Sequence, residues 1–187
     1  MKIAIVSGAF FPQVGGVQVQ VHNICNKLIE NKIDVECFIF NKTNIDNNNY
    51  KINLFNKFLT SFVFFFRYYL NLNLNFLLKI YLKKIIKKKY NFWHFNFLNH
   101  KCLILIECLI ELKQKVIVSF HGIDLQVDRD INYGYRLDKK YEKNLKKILY
   151  KVNYFLYISQ TIKNDLLNLN IPKDKLIFFP NSIEILK

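Results

Sequence analysis

Acidic residues are missing from the middle of this 187-residue chain: no aspartate or glutamate occurs between Asp46 and Glu107. Ten basic residues, from Lys51 to Lys101, lie in that gap, and they carry most of a net charge of +14. Such a surplus invites nucleic acid or an anionic membrane as partner. Lysine (25), isoleucine (24) and asparagine (23) together make 39% of the chain, however. All three have A/T-rich codons, so base composition alone inflates them, and where the charge sits says more than its total.

Other absences narrow the class further. The four cysteines, Cys25, Cys37, Cys102 and Cys108, form no C-x-x-C pair and have no histidine at finger spacing. That excludes a zinc finger and leaves small buried thiols of a reducing, cytoplasmic protein. No apolar run reaches the ~20 residues of a spanning helix; Phe58–Phe66 and Tyr68–Leu78 fall well short. The start, Lys2 followed by Ile3–Phe11, lacks a cleavage site of small residues and reads as a strand. There is no G-x-G-x-x-G, no G-x-S-x-G elbow and no phosphate-binding P-loop, which demotes dinucleotide oxidoreductases, α/β-hydrolases and P-loop enzymes. Without a helix-turn-helix or RNA-binding signature, no nucleic-acid partner is expected.

With 51% hydrophobic residues the chain can bury a core, and its length suits one domain, residues 1–187. Lys2–Ser7, Ile33–Phe40, Phe92–Phe95, Lys115–Phe120, Tyr154–Ser159 and Lys175–Phe179 are short apolar runs that read as buried strands. Helical spacing follows at Val17–Ile29, Leu98–Leu112, Leu137–Val152 and Thr161–Leu169. Phe58–Tyr69 fits helix or strand. Over Leu74–Lys89 one face carries Leu74, Leu78, Tyr81, Leu82 and Ile85, and the other Lys83, Lys84, Lys87 and Lys88, a basic amphipathic helix. Alternating strand and helix predict a doubly wound parallel α/β sheet.

In such sheets ligands sit beyond the carboxyl ends of the strands. The segments there are Ser7–Gly16, His94–Asn96, His121–Asp124, Ser159 and Pro180–Ser182. Gly15-Gly16 opens the first helix; free N–H groups and the helix dipole suit an anion, although a plain tight turn explains the pair as well. His121 directly follows a buried strand, where an imidazole can hydrogen-bond a ligand oxygen or move a proton, with Gly122 leaving room. By itself His94 reads as a structural histidine among aromatics, His22 as either loop-facing or structural, and His100 as a surface residue. Asp124, Asp128 and Asp130 read together as a solvated loop rather than a metal site.

Taken in order, these segments resemble family 4 glycosyltransferases. The resemblance rests on Met1–Val6, Phe11-Pro12-Gln13-Val14-Gly15-Gly16, His22, Tyr90–His94, Phe120–Asp124, Tyr157-Ile158-Ser159, Ile171-Pro172 and Phe179-Pro180-Asn181-Ser182. It departs where Asn91 replaces a common aspartate and Ser182 a common glycine. The resemblance implies a Rossmann-like N-terminal, acceptor-side half of a GT-B fold. The implied reaction is transfer of a sugar, with retention, from a UDP- or GDP-sugar to a glycan, lipid-linked or envelope acceptor, with no metal and no cofactor beyond the nucleotide-sugar. It implies Gly15 and Gly16 near the donor diphosphate, His121 on the transferred sugar, and Asp124 organising the His121-Gly122 loop, His121 and Asp124 being the catalytic pair. Ser159 and Asn181 would line the interdomain cleft, and His22 and His94 the substrate site. The donor-binding half is expected outside this chain, in trans or downstream, leaving the chain itself nearly inactive. The Lys79–Lys89 helix suggests an anionic membrane surface at the cytoplasmic face, at ~1 kcal/mol per lysine. The competing reading is a non-catalytic membrane-surface or protein-interaction module.

Overall fold

A computed structural model describes residues 1–12, 15–43 and 49–181. Gln13, Val14 and Ser182, which contribute to the motifs above, lie outside the described residues.

Seven strands form one parallel sheet: β1 (Lys2–Ser7), β2 (Asp34–Ile39), β3 (Lys51–Leu54), β4 (Phe92–Asn96), β5 (Val116–Ser119), β6 (Tyr154–Tyr157) and β7 (Leu176–Phe178). Their order is β3-β2-β1-β4-β5-β6-β7. The direction of winding therefore reverses between β1 and β4, and a crevice is expected at the carboxyl ends there.

Helix α1 (Gly16–Glu30) covers one face over β1 and β2, where Val21 and Cys25 meet Ile3, Ile5, Val35, Cys37 and Ile39. The other face is thicker. Helices α2 (Lys57–Tyr69), α3 (Asn75–Ile86), α4 (His100–Glu111), α5 (Lys139–Leu149) and α6 (Gln160–Asn168) all place buried side chains in the larger cluster around Trp93, Phe95, Val118 and Phe155. The doubly wound expectation holds. The hydrophobic stripe set the helices, and continuous apolar runs set the central strands.

Three details add to or decide the sequence reading. The strand β3 had no apolar run to announce it; it is a four-residue edge strand with no fully buried position. Phe58–Tyr69 resolves as helix, begun by Asn56, whose side chain accepts from the Leu59 N–H. The acid-free stretch is also partly neutralised from outside. Lys88 pairs with Glu36 at 2.7 Å, Lys79 with Glu111 at 2.9 Å, and Arg67 with Glu107. Glu36 ties much of this together. It is 5% exposed, accepts from Lys2, Lys88, Tyr90 and Asn53, and these donors hold its carboxyl at about 2, against the opposing pull of burial.

Candidate functional site

The last residues of the three central strands are polar and in register. Ser7 of β1 pairs with Asn96 of β4, and Asn96 with Ser119 of β5. All three are buried. Strand alternation puts His94 on the same face as Asn96, and its Nε2 lies 2.7 Å from Ser119 Oγ. Two residues beyond Ser119 comes His121. Burial pushes the His121 imidazole down to about 4; burial first and the neighbouring His121 second push His94 to about 4. Both rings are therefore neutral at pH 7. Among the described residues His121 Nε2 is buried without a partner.

Asp124 fixes the loop that carries His121. Its Oδ1 accepts from the N–H groups of His121 (2.9 Å) and Gly122 (3.1 Å), and its Oδ2 from the Leu98 N–H (3.0 Å). The Tyr141 hydroxyl donates to the Asp124 carbonyl at 2.9 Å. Burial pushes the carboxyl up to about 6, while these N–H donors pull it back down. Asp124 is wholly buried, whereas Asp128 and Asp130 are exposed, so the three aspartates do not act as one solvated cluster. Gly122 sits at φ +128°, and a Cβ there would come within 2.8 Å of the Tyr133 hydroxyl; the position requires glycine.

On the β1 side, Gly15 is the N-cap of α1 in extended backbone, with no side-chain cap and no acid in the first turn. The helix thus starts with its N–H groups and its dipole uncompensated by protein among the described residues. A Cβ on Gly16 would meet nothing within 4 Å.

The remaining predicted residues are placed as follows. His22 is engaged at both nitrogens, with the Tyr50 hydroxyl (2.8 Å) and Asn26 (3.0 Å). Ser159 caps α6 by accepting from the Ile162 N–H. Asn181 accepts from Gln20 of α1, which brings the end of the described chain back over that helix. His100 is not a simple surface residue: it opens α4, pairs with Asp138 at 3.0 Å and packs edge-on against Tyr68 and Tyr141. Among the described residues, no three His, Cys, Asp or Glu side chains converge as a metal site would need.

Two residues carried no role in the sequence reading. Asn96 is fully buried, yet both its Oδ1 and its Nδ2 lack partners; Gln20 is buried with Oε1 unpartnered. Such groups are costly unless something pairs with them. Asn96 falls two residues after His94 at a strand end, a position that periodicity marks. Gln20 sits on the inward stripe of α1 beside Val21 and Ile24, and a glutamine there was the available signal.

The strand-end row, the reversal of winding and the open helix start set the comparisons in context. The model of the family described as Glycosyltransferase Family 4 matches residues 14–185. The chain belongs to glycosyltransferase family 4. A search among curated proteins returns no significant match. Solved structures share the fold at low identity. Anabaena Alr3699/HepE in complex with UDP superposes with a TM-score of 0.68 at 9% identity, covering 98% of this chain and 45% of that one. The UDP-GlcNAc 2-epimerase of Methanocaldococcus jannaschii gives 0.58 at 16% identity over 95% and 45%. Acinetobacter baumannii MurG gives 0.55 at 8% identity over 98% and 46%. These family 4 residues thus span under half the length of the structures they match, with the same GT-B-type sheet. No helix of the described residues is long and apolar enough to cross a membrane.

Proposed function

We propose that this chain is the acceptor-side half of a retaining, hexosyl-type glycosyltransferase. It moves a sugar from a UDP- or GDP-sugar to a glycan, lipid-linked or envelope acceptor, and works with a separate donor-binding half. The observation that carries the reading is the row of buried, under-satisfied polar groups at the point where the winding reverses. Asn96 and His121 hold unpartnered polar atoms there, and a sugar is rich in the hydroxyls that would pair with them. HepE has been solved with UDP and with UDP-glucose, which supports a nucleotide-sugar as donor.

In this reading the residues take the roles that the family resemblance implies. The bond between the anomeric carbon and the nucleotide diphosphate breaks, one to an acceptor hydroxyl oxygen forms on the same face, and the hydroxyl proton passes to the departing diphosphate. Gly15 and Gly16 present the N–H groups of α1 to the departing diphosphate, whose negative charge grows as the bond breaks. His121, held neutral, exchanges a hydrogen bond with a hydroxyl of the transferred sugar. His94 and Ser119 back it from the sheet, and Asp124 keeps its loop in place. His22, Ser159 and Asn181 shape the cleft walls. No metal and no further cofactor enter this scheme.

The surface of α3 adds a location. Lys83, Lys84, Lys87 and Lys89 are exposed there beside Phe76 and Ile80, each more than half exposed. Lys79 and Lys88 are engaged with carboxylates, so the attraction to an anionic leaflet is about 4 kcal/mol at most, which suits reversible attachment at the cytoplasmic face.

The test is an assay with UDP-glucose and GDP-mannose on the 187 residues alone and joined to a donor-binding half. The joined protein is expected to transfer sugar and to lose at least about a hundredfold with His121→Asn; the 187 residues alone are expected to turn over little. Full activity of the 187 residues alone overturns the division of labour. An inactive joined protein that binds vesicles moves the reading to an interaction module.

A further inference from the structure

On the thicker face, away from the strand ends, a groove of ≈670 Å³ runs between the end of α2, the turn before α3 and the outer side of α5. Five cations line it: Arg67, Lys139, Lys140, Lys143 and Lys147. Tyr68 and three asparagines, Asn71, Asn73 and Asn144, complete the wall, and no carboxylate is among the lining residues. We infer that this groove is a second binding site, for a phosphate-bearing ligand. It shares no residue with the strand-end site and does not depend on the transferase reading.

Base composition explains many lysines, but it does not explain their convergence on one of only three arginines. Arg67 is fixed rather than trailing in solvent. Its side chain is 14% exposed, and its guanidinium is oriented by Glu107, by Asn75 (3.2 Å) and by Asn144 (3.1 Å). Lys147 reaches the same Glu107 at 2.5 Å, so one carboxylate serves two cations. Lys140 lies 4.8 Å over the Tyr68 ring and donates to the Tyr68 carbonyl. The nearby Asp138 is occupied from other sides, by the Tyr68 hydroxyl, His100 and the first N–H groups of α5. Glu142 faces Arg136 and Lys146.

Lys139 and Lys140 occupy the first turn of α5, where the helix dipole is positive and is offset by the Asp138 cap and Glu142. Lys139, Lys143 and Lys147 repeat every four residues, so like charges stack along one stripe. A bound phosphate or diphosphate relieves this repulsion and finds a fixed guanidinium plus side-chain amide donors. Tyr69, Leu70 and Leu72 on the adjoining turn are half exposed or more. The phosphate can therefore belong to a free ion or to a lipid headgroup whose chains meet that turn.

The experiment uses the full chain, with inorganic pyrophosphate in titration calorimetry, and phosphatidylglycerol against phosphatidylcholine vesicles in flotation. The test variant is Lys139→Glu with Lys143→Glu; Lys115→Glu with Lys173→Glu, at exposed positions ahead of β5 and β7, makes the same change in total charge elsewhere. Glutamate in the first turn of α5 favours the helix, so the test variant is expected to fold, and its unfolding midpoint checks this. At least a tenfold loss of pyrophosphate binding in the test variant, with the control unchanged, supports the site with a free phosphate as ligand. The same selective loss on phosphatidylglycerol vesicles alone supports it with a lipid headgroup. Equal losses in both variants, binding of both probes untouched by the test variant, or no binding of either probe overturn it.

Discussion

Lowering the pH from 7 to 5 should cost this protein stability through two histidines. His94 is buried and His121 partly buried at adjoining strand ends, and each is held at about 4 in the folded protein, against an ordinary value of 6.5. The unfolded chain therefore binds protons at pH 5 that the folded chain refuses. A depressed histidine contributes its stability above the unfolded value and loses it as pH falls from there toward the folded value. By linkage each ring gives up about 2 kcal/mol between pH 7 and 5, or roughly 4 for the pair. Asp124 acts oppositely: its carboxyl is raised to about 6, so the folded state gains a proton first and returns a little over 1 kcal/mol. Glu36, held at about 2, starts to matter only nearer pH 4.5. A net loss of about 2–3 kcal/mol is expected, read as a shift of the urea midpoint between the two pH values. His94→Gln should lower stability at every pH yet remove nearly half of the histidine contribution to the slope. A pH-independent midpoint, or an unchanged slope in His94→Gln, would refute the assignment of both rings as neutral and buried.

Two further outcomes are expected. Asn96→Leu, a near-isosteric change, removes two unpartnered buried polar atoms, so the urea midpoint should hold or rise by up to about 2 kcal/mol, while sugar transfer by the joined protein falls at least about tenfold. Asp124→Ala orphans three backbone N–H groups and should cost about 3 kcal/mol or more by the same denaturation, with heightened exchange of the His121 and Gly122 amides.

Most of the sheet was legible because parallel strands buried on both faces leave continuous apolar runs, and Lys2–Ser7 or Lys115–Phe120 can hardly be anything else. β3 was not, because an edge strand of four residues buries nothing fully and so leaves no pattern. At the site, chain order brought His94 and His121 to strand ends, but only three-dimensional pairing shows one ring against Ser119 and the other with an open nitrogen. Asn96 stood in a strand-end segment, but its unpartnered side chain likewise shows only in three dimensions. An asparagine is common in this composition, and its significance lies in the partners it lacks. The charge surplus was misleading in the other direction: Glu36, Glu107 and Glu111, distant in sequence, neutralise part of it across the fold.

Among the described residues the sheet is clothed unevenly, with five helices over one face and α1 alone over the other. The thin side carries a buried cluster of nine residues against thirty-two opposite, and it leaves Tyr154 and Ile177 nearly half exposed on the bare strands. Local opening follows the weakest layer. Amide exchange is therefore expected to be faster in α1, which carries Gly16, Gln20 and His22, than in α4 and α5 on the thicker side.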